Sequence, residues 1–211
     1  MPVHEECPIP NSSPRAARRR LSPESRRREL IDAATIVLGR LGEPGCRVED
    51  VTAAAGTAKG NFYRYFATWE DLLSAVRAQV LAGYALDAER RSAGLAKRDS
   101  AVALEHEANA FIDFQLAMGE LREIVFHGRA ARDRGDRDAD QPVVRAIGAL
   151  VEAGVADGTF ARVDVDAIAR LIFHTLCGAA DEIAAGNDER TVRAAALRLL
   201  TRGLIPPSVT S

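Results

Sequence analysis

One stretch, Val48–Phe66 (VEDVTAAAGTAKGNFYRYF), constrains the fold of this chain more than any other. Val48, Val51, Thr52 and Ala55 follow the i, i+3, i+4, i+7 spacing of a single buried helix face, which predicts a short helix over 48–55. Gly56 falls where that helix must stop, and a left-handed backbone costs glycine little. Thr57 is placed to cap a second helix that turns Phe62, Tyr65 and Phe66 inward and presents Ala58, Lys59, Asn61 and Arg64 outward. Small residues at the turn let the two helices cross at close range, as a helix-turn-helix requires.

The second helix carries what a DNA-reading element needs. Its amino end offers unpaired backbone N–H groups and the positive end of a dipole, both suited to a phosphate. Lys59 adds a formal charge there, Asn61 can bond base edges or phosphate, and Tyr63 brings a ring and a hydroxyl together. The same residue types would also serve an ordinary helical hairpin in an all-α protein.

Charge is distributed in a way that matters more than its sum of −2. Between Arg15 and Arg28 stand seven arginines (15, 18, 19, 20, 26, 27 and 28) against one acid, Glu24. Such an arm beside a helix-turn-helix can lie along phosphates or enter the minor groove, and it can equally be a solvated tail. Residues 1–21 hold four prolines and no helical period, so a disordered basic arm is expected there.

Composition and the rest of the chain argue for packed helices. Hydrophobic residues make up 47% of the chain but aromatic ones only 5%, with few β-branched clusters bounded by turns. No apolar run approaches the ~18 residues of a membrane span, and no apolar leader opens the chain, so a cytoplasmic protein without membrane contact is expected. Cys7, Cys46 and Cys177 have neither zinc nor redox spacing and are expected to be unpaired thiols. Gly-rich phosphate loops, H-E-x-x-H and G-x-S-x-G are missing, and neither cofactor nor metal is expected. His174 and Cys177, three apart with Asp181 beyond, share one helix face, but a Cys-His nucleophile needs a pocket and an oxyanion donor, so no catalytic residue is assigned.

In chain order, Ser22 caps a first helix with Pro23 at its first position, a buried stripe of Leu30, Ala33, Ala34, Val37 and Leu41, and an end at Gly42 and Pro44. Thr68 and Asp71 form a capping pattern for a fourth helix that runs through Leu72, Leu73, Val76, Val80, Leu81 and Tyr84 to about Arg90. Helical period then predicts a helix over 101–118, burying Leu104, Ala108, Phe111, Ile112 and either Gln115 or Leu116. A further helix is expected over 121–132, then a solvated charged loop over 132–140. Pro142 opens another helix, a turn follows at Asp157-Gly158, and two last helices run from Asp164 or Asp166 and from Glu189 to Gly203.

AGTAKGNFYRYF followed by TWEDLL resembles the signature of the TetR family of bacterial transcriptional regulators, and RRRELIDAATIVLGRLG is similar to that family's first helix. The likeness runs from Ser25 to Val76. Beyond it the chain resembles only the family's general layout. Three positions depart from the pattern: Arg47 where a Thr or Ser usually caps the second helix, Ala58 for the usual Ser, and Trp69 where Lys is frequent.

The resemblance implies an all-α fold of about nine helices. Residues 22–84 would form a three-helix DNA-binding domain with its motif at 47–66, and 85–211 an all-helical effector-binding and dimerisation domain. DNA contacts would come from Arg47, Thr57, Ala58, Lys59, Gly60, Asn61, Tyr63, Arg64 and Trp69. The expected partners are a double-stranded operator, a second copy of the chain and an unidentified small molecule. Polar candidates for the last are His106, Gln115, Arg122, His127, Arg129 and His174. The dimer surface is expected on the last two helices at Ile168, Ile172, Leu176, Ala179, Ile183, Val192, Ala196 and Leu199, although those faces could instead be the chain's own core. A repressor, released from DNA by its effector, is the expected role. Its rivals are an activator and a dimeric binding protein that has lost DNA reading.

Overall fold

Helix boundaries in this chain follow from side chains that take up the orphan backbone groups at each end. In the computed structural model, which describes residues 22–95, 99–128 and 137–204, the Ser22 hydroxyl accepts from the Ser25 N–H at 3.1 Å and starts helix α1, Pro23–Gly45. α2 (Val48–Ala54) and α3 (Lys59–Tyr65) follow, then the long α4, Trp69–Leu95. α5 spans Ser100–Ala117, a π-helical turn α6 spans Glu123–His127, and α7 (Arg137–Ala156), α8 (Val165–Ala184) and α9 (Glu189–Leu204) complete the set among the described residues. All of these elements are helical, as expected. The expected arm over 1–21 lies outside the described residues, as does Arg129.

Two apolar cores organise the helices. The first gathers Leu30, Ala34 and Leu38 of α1, Val51 of α2, Phe62 and Phe66 at α3, and Leu72 and Val76 of α4. The second gathers Leu81, Tyr84 and Ala88 of α4 with apolar faces of α5, α7, α8 and α9. α4 therefore belongs to both, and it runs past the expected end near Arg90. Its start is fixed by reciprocal capping: the Thr68 N–H donates to the Asp71 carboxylate at 2.9 Å and the Asp71 N–H to the Thr68 hydroxyl at 3.0 Å. α6 is the other bridge, with Ile124 buried in the first core and Val125 in the second.

Several expectations need correction. Leu41 shares the side of α1 that carries Leu30, but it sits in the last turn before Gly42 (φ 66°, ψ 169°) redirects the chain, and it is 52% exposed. Leu38 is fully buried in its place. Of the helix expected over 121–132, residues 121–127 are helical and Gly128 leaves the helix (φ −58°, ψ 167°), while 129–132 lie outside the described residues. The charged run to residue 140 is not all solvated loop: residues from Arg137 onward belong to α7, and Pro142 lies inside that helix rather than opening it.

Asp140 is half-buried because Arg77 of α4, only 2% exposed, reaches it through a terminal guanidinium nitrogen at 2.5 Å. The same guanidinium donates through Nε to the Val125 carbonyl at 2.8 Å. Burial pushes the Asp140 carboxyl up, against the pull of the Arg77 charge. One side chain thus ties α4, α6 and α7 together.

The turn at Asp157-Gly158 forms as expected, with Gly158 at φ 82°. The Asp157 carboxylate accepts from the Ser100 hydroxyl at 2.5 Å and the Thr159 N–H at 2.8 Å, and these bonds hold its pKa down. Phe160 then folds back onto α7, so close that a Cβ added at Gly154 would lie 2.1 Å from its ring. Beside it, the Ala161 N–H donates to the Leu204 carbonyl at 2.8 Å and anchors the end of α9.

Substitutions test this packing in urea unfolding. Leu38→Ala should destabilise by about 2–5 kcal/mol, whereas Leu41→Ala should stay within about 0.5 kcal/mol of the parent. Arg77→Ala, which strands the Asp140 carboxylate, should destabilise by about 3–5 kcal/mol, and adding Asp140→Asn should recover part of that loss.

Candidate nucleic-acid interface

The α2–α3 pair is set on the first core by its aromatic side. Phe62 and Phe66 are buried, with ring centroids 5.7 Å apart, and Trp69 stacks on Phe62 at 6.4 Å. Gly56, at φ 60°, turns the chain between the helices. The Arg47 N–H donates to the Asp50 carboxylate at 2.8 Å, the reciprocal half of a capping box, while the Asp50 N–H that an N-cap hydroxyl would have taken donates to the Arg47 carbonyl at 3.0 Å. At α3 the expected cap is corrected: Ala58, not Thr57, is the N-cap residue and makes no side-chain cap bond. Thr57 instead accepts from the Asn61 amide at 2.7 Å.

The opposite side of α3 is open. Ala58, Lys59, Gly60, Tyr63 and Arg64 are exposed, and a Cβ at Gly60 would meet nothing within 4 Å. Thr57 and Asn61 are half-exposed beside them. Arg47, Lys59, Tyr63 and Trp69 also line one groove, with Cys46, Val48 and Glu49 completing its wall. All nine expected DNA-contact residues therefore reach solvent on or beside this face, Trp69 with its ring half-buried in the packing.

Glu49 was not singled out by the sequence, and it alters the electrostatics of the face. Its carboxylate holds the Lys59 ammonium at 2.5 Å, a bond that raises the pKa of Lys59 and lowers that of Glu49. The pair sits ten residues apart across the turn, a spacing that no single-helix rule flags. Of the arginine arm, Arg27 lies 4.9 Å over the Phe66 ring and Arg26 is paired with Glu29 at 2.5 Å.

The expected effector residues are scattered. Gln115 is fully buried, His106 and His174 are exposed, and Arg122 and His127 both contact Asp181, His127 at 2.9 Å. Sequence reasoning passed over Glu107, which is buried and accepts from the Tyr84 hydroxyl and from Arg91 at 2.9 and 3.1 Å. Its signal was positional: Leu104, Glu107, Ala108 and Phe111 follow the spacing of a buried stripe. Arg77 lies on such a stripe too, between Leu73 and Leu81.

The expected dimer residues divide in three. Ile172, Leu176, Ala179 and Ala196 are buried in the chain's own core, which corrects their placement on a free surface. Ile168, Ile183 and Val192 are partly buried against it. Leu199 is 69% exposed, and Leu171, one position before Ile172, is 62% exposed. Cys177 is largely enclosed, and burial, with Asp140 and Asp181 nearby, pushes its thiol up, the opposite of what a nucleophile needs. Among the described residues, no cluster could hold a metal ion and no helix is long and apolar enough to cross a membrane.

Comparison with known proteins accords with this architecture. Residues 30–76 match the family model "Bacterial regulatory proteins, tetR family", and residues 101–205 match "Tetracyclin repressor-like, C-terminal domain". The solved structure of RolR in complex with resorcinol is 20% identical, with a TM-score of 0.68 over 83% of this chain and 87% of that one. A protein of unknown function from Rhodococcus sp. RHA1 is 23% identical, with a TM-score of 0.69 over 89% of this chain and 100% of that one. A TetR transcription regulator from Haloarcula marismortui is 17% identical, with a TM-score of 0.62 over 87% and 100%. No curated protein sequence matches the chain. The two family models together span most of the chain, and the chain belongs to the TetR family of DNA-binding transcriptional regulators, which are not enzymes.

Proposed function

We propose that two copies of this chain bind a near-palindromic operator through α3 and repress transcription until a small organic effector releases them. The observation that carries the reading is the polarity of α3: its aromatic side is buried, while Lys59 at its open amino end and Tyr63 and Arg64 further along are exposed. Backbone N–H groups there suit a phosphate, Tyr63 and Asn61 suit base edges, and Lys59 and Arg47 set register on the backbone. Repression needs no surface beyond the one that occupies the promoter.

Support for pairing comes from α8 and α9. Leu171 and Leu199 are exposed on two neighbouring helices, with Gly178, Ala194 and Ala195 also uncovered. Large apolar residues over small ones favour a second copy packed closely against the first. A two-fold pair would set the two α3 helices about one DNA turn, ~34–36 Å, apart. The division into a DNA-binding unit over 22–84 and an effector and pairing unit over 85–211 belongs to the same proposal, with α4 as the lever between them. RolR holds resorcinol, which supports a small organic molecule as the effector class.

A second reading is favoured by the Lys59–Glu49 pair: an acid on the reading face and no hydroxyl at Ala58 would suit a dimeric binding protein whose DNA affinity has weakened. Operator titrations between ~50 and 200 mM salt decide between them. For an operator binder, Lys59→Ala lowers affinity for operator and random DNA alike, Tyr63→Ala and Asn61→Ala change the preferred sequence, and Glu49→Gln tightens binding by freeing the lysine. Unchanged affinity across the set refutes the assignment. Leu171→Asp combined with Leu199→Asp should give a single chain in sedimentation, still helical by circular dichroism, with operator affinity lost.

A further inference from the structure

Glu49 stands where a face that binds phosphates would not be expected to carry an acid. It is the second residue of α2, it is exposed, and its carboxylate accepts from the Lys59 ammonium at 2.5 Å. It shares one groove with Arg47, Lys59 and Tyr63, and among the residues that line this groove it is the one acid. Asp50, the next residue, differs from it. The Asp50 carboxylate accepts from the Arg47 N–H at 2.8 Å, a partner that belongs to the helix cap. The partner of Glu49 is instead a side chain for which a phosphate competes.

Both side chains of the pair are more than half exposed, Lys59 at 54% and Glu49 at 58%, so water screens the attraction and the pair opens easily. The hydrogen bond from Lys59 holds the Glu49 carboxyl below its ordinary range, which keeps it ionised at neutral pH. When Lys59 turns to a phosphate, that carboxylate is left facing the duplex. Phosphates repel it, and so do the acceptors on base edges, guanine N7 and O6 and thymine O4. What can receive it is a base amino group. In the major groove the adenine amino lies between two acceptors, its own N7 and the thymine O4, whereas the cytosine amino has an acceptor, guanine O6, on one side only. A carboxylate brings acceptors alone and therefore suits cytosine.

We infer that Glu49 is a specificity-determining residue, freed when Lys59 moves to the DNA backbone and then accepting a hydrogen bond from the amino group of one cytosine in each half-site. The inference rests on the operator reading above and assigns a base to one residue of that face. Its action is repulsive as well as attractive. A duplex without the cytosine meets a bare carboxylate, which lowers affinity for random DNA and leaves the operator favoured. The two members of the pair thus divide their roles: Lys59 strengthens binding to any sequence, and Glu49 penalises the wrong ones.

Selection from a pool of randomised duplexes by the intact chain, followed by anisotropy titration of the recovered sequence, tests the inference on the parent, Glu49→Ala and Glu49→Gln. The parent should enrich cytosine at one position of each half-site, and exchanging that C·G pair for G·C should lower affinity roughly tenfold. In Glu49→Ala the preference at that position should fall to within about twofold, while binding to random duplex tightens because the carboxylate is gone. In Glu49→Gln it should move to adenine, whose N6 and N7 together suit a side-chain amide. Base preferences that stay the same in both variants, or adenine at that position in the parent, overturn the inference. So does an equal loss of affinity on every sequence with a lowered melting temperature, the result expected if the pair only braced α2 against α3. A parent that enriches no sequence overturns the operator reading itself, whereas an operator with no position that depends on Glu49 overturns this inference alone.

Discussion

A rigid helix that serves two cores at once is the constraint on which the molecule depends. α4 is 27 residues long, roughly 40 Å at 1.5 Å per residue, and it has no break along its length. Leu72 and Val76 near its start hold Phe62 and Phe66 in place, whereas Leu81, Tyr84 and Ala88 further along are packed by α5, α7 and α8. Between these sets sits Arg77, whose guanidinium meets the α6 backbone and the α7 carboxylate. A helix is far stiffer along its axis than a loop, so movement of the distal packing is delivered to α3 rather than absorbed. α6 reinforces the link, because Ile124 and Val125 are neighbours in sequence and members of different cores.

Much of this was legible in the residues themselves. Caps at Ser22, Thr68 and Asp164 and turns at Gly56 and Gly158 rest on local chemistry, and local chemistry is what a sequence displays. Leu41 illustrates the limit: helical period names the face a residue is on, but whether a neighbour covers that face depends on where the helix is cut off. Ile172, Leu176, Ala179 and Ala196 illustrate it again, since a broad apolar face reads the same whether its cover is the chain itself or a second copy. Asp140 was hidden for a further reason. Its partner is 63 residues away, and a charged run looks solvated until a distant arginine is brought to it.

The face proposed to read DNA is less cationic than its composition suggests. Lys59 is engaged by Glu49, Arg26 by Glu29, and Arg27 rests on the ring of Phe66. These exposed pairs are weak in water and are readily exchanged for a phosphate, so they lower the free charge without fixing it. Such a face favours sequence-selective over indiscriminate association, which suits a chain whose net charge is −2.

The corner where Phe160 lies against Gly154 has a consequence for how the chain can vary. Even one methyl group at 154 would overlap the ring, and withdrawing the ring would uncover the core under α7. Positions 154 and 160 are therefore sterically coupled: a larger residue at one calls for a smaller residue at the other. A paired exchange at these two positions would be the way for a relative to close this corner by a different route.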